Sequence, residues 1–263
     1  MTGPQPDPGG AHHSLTRGDA TIAYRHTPAR KPDGAPGVMF LGGFMSDMTG
    51  TKAVALEAWA ARQGLAFTRF DYQGHGASGG RFEDGTIGAW AADALTVLDE
   101  VTQGPQILVG SSMGGWIMTL AAQRRPERVA GLLGIASAPD FTEDLIWDAL
   151  DPATRALMQR EGAWYRPSQY FPDPKPVTWT LVEEARAHLL LRGDPVRFTG
   201  PVRLLHGMAD ADVPWQTSLR LAEALASPDV RVTLVKDGDH RLSRDQDIDL
   251  LCRTLADLVR TVG

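Results

Sequence analysis

Three residue types fall along this chain in an order that could do acyl transfer: Ser112, Asp210 and His240. A serine hydroxyl is a poor nucleophile until a base removes its proton, and the base needs an acid to orient it. The stretch ILVGSSMGGW, Ile107–Trp116, offers two adjacent serines. A nucleophile held at a tight strand-to-helix turn needs small residues two positions before and after it, because larger side chains would strike neighbouring backbone. Ser112 has Gly110 and Gly114 at those places, whereas Ser111 has Val109 and Met113. The spacing therefore selects Ser112 and leaves Ser111 as a small residue that lets the turn close. The same Gly-Ser-Gly spacing also suits a plain tight turn, so the rest of the sequence must supply the base and the acid. His240 is the histidine that follows Ser112 in a loop beyond the final strand. His188 falls in a helix of an insertion, and His206 ends a strand ahead of the acid. In GMADADVPW, Asp210 is the chosen acid, while Asp212, just before Val213-Pro214, suits a helix cap. Asp237 and Asp239 lie closer to His240 but suit its Asp-Gly turn.

Acyl transfer also develops negative charge on the attacked oxygen, which two fixed backbone N–H groups can stabilise by several kcal/mol. One donor is expected from Met113, directly after the nucleophile. The other is expected from Phe44, in the Leu41-Gly42-Gly43-Phe44 loop after an early strand. His75, in the glycine-rich DYQGHGASGG, is expected to serve its loop more than the reaction.

These residues need elements to hold them, and the hydrophobic patterning provides an alternation. Strands are expected over Ala20–Tyr24, Gly37–Leu41, Ala66–Asp71, Ile107–Gly110, Val129–Ile135, Val202–His206 and Val230–Val235. Helices are expected over Lys52–Arg62, Ile87–Val101, Trp116–Gln123, Thr217–Ala226 and Asp247–Val262. Alternating strands and helices give an α/β fold, a mostly parallel sheet covered on both faces, with ligands bound beyond the carboxyl ends of its strands. The expected division is a flexible, Pro- and Gly-rich arm over 1–18, a core over 19–139 and 201–263, and a helical lid insertion over 140–200. The insertion is too long and too apolar for a simple loop. Its Trp147, Trp164, Trp179, Tyr170 and Phe171 suit either its own core or a pocket. Trp147, Trp164 and Trp215 are the residues expected to line an apolar acyl pocket.

At 43% hydrophobic and 22% charged, the chain has the composition of an ordinary globular protein. A formal net charge of -6 argues against nucleic acid as a partner. Its lysines are confined to Lys31, Lys52, Lys175 and Lys236. The one cysteine, Cys252, cannot form an intrachain disulfide. No run is apolar for the roughly 18 residues that span a membrane, so no stable membrane insertion is expected. The chemistry calls for no metal and no organic cofactor.

The motifs together resemble the α/β-hydrolase superfamily. The nearest resemblance is to the palmitoyl-protein thioesterase and acyl-glucuronide esterase branch. It rests on GTKA (Gly50–Ala53), RFDYQGHGAS (Arg69–Ser78), GPQILVGSSMGGW (Gly104–Trp116), RLLHGMAD (Arg203–Asp210), VPW and DHR, and runs from about Gly37 to the end, weakest in the lid. It implies an α/β-hydrolase fold with a helical lid, the Ser112–Asp210–His240 triad, and hydrolysis of small-molecule acyl esters or thioesters, or of an acylated protein. A general carboxylesterase, an acyl-glucuronide esterase and a non-catalytic binding protein of the same fold are the alternatives. The branch includes a mitochondrial member, but the first residues here lack an Arg- and Ser-rich transit character. A cytoplasmic protein is therefore expected.

Overall fold

The computed structural model describes residues 12–30, 34–166 and 175–263. The first eleven residues, Tyr170 and Phe171 fall outside it. Among the described residues ten strands are formed: β1 (His13–Arg17), β2 (Ala20–Thr27), β3 (Gly37–Leu41), β4 (Phe67–Phe70), β5 (Gln106–Ser111), β6 (Val129–Ile135), β7 (Ala163–Arg166), β8 (Lys175–Thr178), β9 (Val202–Gly207) and β10 (Val230–Val235). The α-helices are α1 (Thr51–Gln63), α2 (Ile87–Glu100), α3 (Met113–Arg124), α4 (Pro152–Glu161), α5 (Trp179–Ala185), α6 (Gln216–Ala224) and α7 (Asp245–Val262).

Eight strands make one sheet in the order β1-β2-β4-β3-β5-β6-β9-β10. All neighbours from β4 through β10 run parallel, and only β1–β2 and β2–β4 are antiparallel. The central strands β3 and β5 are buried at every position, as strands covered on both faces must be. The last strand, β10, alternates valine with arginine or threonine and stays partly exposed, as befits an edge.

Two apolar layers sandwich the sheet. One gathers α2, α3 and the insertion around Trp90, Trp116, Met118 and Leu132. The other gathers α1 and α7 around Leu56, Phe67, Leu251 and Leu255. Leu251, Leu255 and Leu258 recur at helical spacing on α7 and are fully buried. Each such leucine contributes about 1.5–3 kcal/mol by leaving water.

Three sequence expectations change. His13–Arg17 is not part of a flexible arm; its backbone pairs residue for residue with β2, from His13 opposite Tyr24 to Arg17 opposite Ala20. The insertion is only partly helical. After a π-helical turn at Thr142–Trp147 and α4 it forms an antiparallel hairpin of β7 and β8, before α5. Helix α3 begins at Met113, directly after Ser112, rather than at Trp116. Among the described residues no helix is long and apolar enough to cross a membrane.

Candidate active site

Strand β5 ends at Ser111, and the chain turns into α3 through Ser112, which has φ 54° and ψ -118°. A positive φ on a residue with a side chain costs on the order of 1–3 kcal/mol and persists only where surroundings impose it. Here the clamp is explicit. The Ser112 N–H donates to the Ile135 carbonyl at 2.9 Å, and the Ser112 carbonyl accepts from Ala138 N–H at 3.0 Å and Gly115 N–H at 2.9 Å. The flanking glycines leave no room for a side chain. A Cβ on Gly110 would lie 2.3 Å from the Gly114 carbonyl oxygen, and one on Gly114 would lie 2.1 Å from that of Leu41.

Loops from three strand ends bring Ser112, His240 and Asp210 into a line. His240 Nε2 lies 3.1 Å from Ser112 Oγ, and His240 Nδ1 lies 2.8 Å from Asp210 Oδ2. Because Nδ1 faces a carboxylate, it carries the proton, and Nε2 is left to accept from the serine hydroxyl. Asp210 is fully wired. Its Oδ2 also meets His206 Nε2 at 3.1 Å, and its Oδ1 accepts the N–H groups of Asp212 and Val213, both at 2.9 Å. Burial alone would raise the Asp210 carboxyl, but hydrogen bonds from His206 and His240 outweigh it and hold the group well below the usual carboxylate range. His206, on β9, is itself completely buried against α6. Its Nε2 is also 3.0 Å from the Val213 carbonyl, so Nε2 carries hydrogen and Nδ1 accepts from the Ser218 hydroxyl at 2.7 Å. Asp212 does not cap α6 as expected, since the residue before that helix is Trp215, with no side-chain cap.

The Leu41–Phe44 loop lies over the elbow. Gly43 to Ser46 forms a tight turn, with Ser46 N–H donating to the Gly43 carbonyl at 3.1 Å and Met45 at φ 60°. Among the described residues neither the Phe44 N–H nor the Met113 N–H has a protein acceptor, and both residues border the cavity that holds Ser112. Three buried side chains anchor this loop. His75 Nε2 accepts Met45 N–H at 3.2 Å, Asp71 Oδ1 accepts Met48 N–H at 2.6 Å, and Arg69 Nη1 donates to the Met48 carbonyl at 2.6 Å. His75 can accept there because its Nδ1 faces the Gln73 carbonyl. Burial pushes the His75 imidazole below its ordinary value, against the Gln73 hydrogen bond, so it stays neutral. Sequence reading put His75 in a loop but gave no hint of which backbone it grips.

Above Ser112 opens a cavity of about 720 Å³, within the 300–1,000 Å³ typical of small-molecule sites. Its apolar wall is built by Phe44, Phe141, Leu145, Ile146, Val177 and Val213. The expected pocket residues Trp147, Trp164 and Trp215 are not among those lining it. Trp147 turns away onto Trp179, at 4.9 Å between ring centroids, with the Arg155 and Arg186 guanidinium groups 5.2 and 5.1 Å from its ring. Trp164 pairs opposite Val177 in the hairpin, and both Trp147 and Trp164 pack on the core. Trp215 sits half-buried at the start of α6. Trp147 and Trp164 serve the insertion's own packing, and smaller apolar residues of the insertion face the cavity. Nothing in the sequence periodicity marks those residues, because the π-helical turn that presents Leu145 and Ile146 follows no regular 3.6-residue pattern.

A cation would find its nearest cluster of oxygen and nitrogen atoms at Asp210, Asp212 and His240, within 4.8 Å of one another among the described residues. Both Asp210 oxygens are already hydrogen-bonded, and His240 is committed to Asp210 and Ser112. The donor set does not fit a metal.

A family model described as serine aminopeptidase, S33, matches residues 35–189. The mouse (Mus musculus) protein named palmitoyl-protein thioesterase ABHD10, mitochondrial, is 47% identical over 239 residues, which span 90% of this chain and 78% of that one. The structure of alpha/beta hydrolase domain-containing protein 10 from mouse superimposes with a TM-score of 0.88 at 42% identity, covering 97% of this chain and 100% of that chain. A hydrolase from Agrobacterium vitis S4 superimposes with a TM-score of 0.89 at 44% identity, over 94% and 98% of the two chains. The mouse protein's name corrects the cytoplasmic expectation, because it places that relative in the mitochondrion.

Proposed function

The chain belongs to the α/β-hydrolase family of serine hydrolases, as an ABHD10-like member, and on that premise we propose that it is a deacylase of the palmitoyl-thioesterase type acting through Ser112, His240 and Asp210. The observation that carries this reading is the relay at the cavity floor: Ser112 Oγ 3.1 Å from His240 Nε2, and His240 Nδ1 2.8 Å from Asp210 Oδ2. In this reading Ser112 Oγ attacks the acyl carbonyl carbon while His240 Nε2 takes its proton. The Phe44 and Met113 N–H groups, which lack protein acceptors among the described residues, receive the oxyanion. Collapse of the tetrahedral intermediate breaks the bond to the thiol or alcohol, which leaves with the proton from His240. The acyl group now sits on Ser112. Water, losing its proton to His240, attacks that ester and releases the acid. Asp210 keeps its charge throughout and stabilises the imidazolium.

The wall of Phe141, Leu145, Ile146 and Val177 suits an apolar acyl chain. The mouse relative's name supports a thioester as the substrate and an acylated protein as one of its sources. The test compares matched thioesters and oxygen esters of increasing acyl length, with Ser112→Ala as control. Thioester turnover that rises with chain length and vanishes in the variant supports the deacylase. Turnover confined to short oxygen esters makes the protein a general carboxylesterase. Selective turnover of acyl glucuronides makes it an esterase for those sugars. Activity that survives Ser112→Ala rejects the nucleophile.

A further inference from the structure

Lys52 is one of four lysines in the chain, and it borders the cavity that holds Ser112. It is partly buried, the second residue of α1. Its Nζ donates to the Arg241 carbonyl at 2.5 Å, which leaves two of its three N–H groups without a protein acceptor among the described residues. Among the described residues it forms no ion pair. An ammonium enclosed without a carboxylate in contact is costly. Burial and the Arg241 charge pull Lys52 down to about 8, against the opposing pull of Asp239 and Asp247. The first turn of α1 adds positive potential to the same spot, since it has neither an acidic residue nor a side-chain cap. Asp47 also borders the cavity, but its Oδ1 is occupied by the Thr49 N–H and hydroxyl at 2.7 and 2.5 Å.

Position along the reaction axis gives this cation a meaning. The departing thiol or alcohol takes its proton from His240, so it leaves on the His240 side. Lys52 is bonded to the residue directly after His240, and Arg241 and Ser243 border the cavity with it. The apolar wall of Phe141, Leu145, Ile146 and Val177 belongs to the insertion instead. The cavity thus has an apolar arm for the acyl chain and a cationic arm for what departs.

Building on the deacylase reading above, we propose that Lys52 is a specificity-determining residue that selects esters and thioesters whose leaving group carries an anion, a carboxylate or a phosphate. A charge-assisted hydrogen bond to such an anion would favour it over a neutral isostere by about tenfold or more in kcat/KM. The experiment uses one acyl chain on three phenols bearing a meta-carboxylate, a meta-phosphate or a meta-carboxamide. For the wild type, kcat/KM is expected to be about tenfold higher for one or both anions than for the carboxamide, mainly through KM. The ratio is expected to collapse to about one in Lys52→Met, which keeps the aliphatic stem, and to be largely kept in Lys52→Arg. The carboxylate and phosphate arms show which anion the site prefers. Equal wild-type rates for all three esters, or a preference that persists in Lys52→Met, overturns the proposal. Calorimetric binding of the same intact esters to Ser112→Ala needs no turnover. If that binding shows the anion preference while the wild type hydrolyses none of the three, the anion site stands and the deacylase reading fails. If neither anionic ester binds better than the neutral one, the anion site fails whatever the activity.

Discussion

At the scale of single residues, the strongest statement concerns Asp210. Both of its oxygens accept two hydrogen bonds, and its carboxyl stays ionised far into acid. Asp210→Asn keeps the shape but replaces an acceptor with a donor facing His240 Nδ1, which favours the wrong tautomer. A fall in kcat of about 10⁴ is expected, with the fold retained; a loss under tenfold would remove Asp210 from the relay. Gly114→Ala is a packing test of the elbow. Its Cβ would lie 2.1 Å from the Leu41 carbonyl oxygen, so backbone must move on both sides. We expect a drop of at least about 3 kcal/mol in stability, seen as a fall in Tm, together with lost activity. These residues could be found in the sequence because their requirements are local: glycines at fixed spacing, then an acid and a base each just past a strand. Trp147, Trp164 and Trp215 were misjudged for the converse reason. Residue type reports size and polarity, while the direction a side chain takes depends on its neighbours. For Trp147 those neighbours are Trp179, Arg155 and Arg186.

At the scale of elements, the turn from Gly43 to Ser46 is the part most exposed to indirect damage. It has no strand of its own; His75 holds its backbone at Met45, and Asp71 and Arg69 hold the chain just beyond it at Met48. His75→Phe keeps a ring among Tyr72, Phe82 and Trp90 but removes the acceptor for Met45 N–H. We expect kcat to fall by about 10- to 100-fold with little change in KM, part of the loss seen when an oxyanion donor is removed. An unchanged kcat would show that the turn holds without His75. Strands β3, β6 and β10 run over Gly37–Leu41, Val129–Ile135 and Val230–Val235, as their unbroken or alternating apolar runs predict. Strand β1 escaped because HSLTR at the sheet edge buries almost nothing and so carries no apolar signature. The β7–β8 hairpin escaped because its pairing partners are separated by prolines that read as interruptions.

At the scale of the whole molecule, two imidazoles, His75 buried and His26 half-buried, set how the fold meets acid. Burial lowers His75 and, together with His13, lowers His26, both from an ordinary value of 6.5. Below pH 6.5 the unfolded chain takes up protons that the folded chain does not, so stability present above 6.5 is lost as pH falls through that value. Thermal unfolding should therefore show Tm declining from pH 7 toward pH 5, and declining less steeply in His75→Phe; parallel slopes would reject His75 as a contributor. The parallel centre of the sheet and its two covered faces followed from alternation alone. The cavity did not, because it joins side chains from far-apart stretches. That division of labour has a hereditary consequence. Ser112, Asp210 and His240 lie before or after the insertion, whereas Phe141, Leu145, Ile146 and Val177 lie within it. Substitutions accumulating between residues 140 and 200 can retune which molecules are accepted while the proton relay passes from generation to generation unchanged. Much of the acyl-side wall and the proposed relay are thus written in separate stretches of one gene.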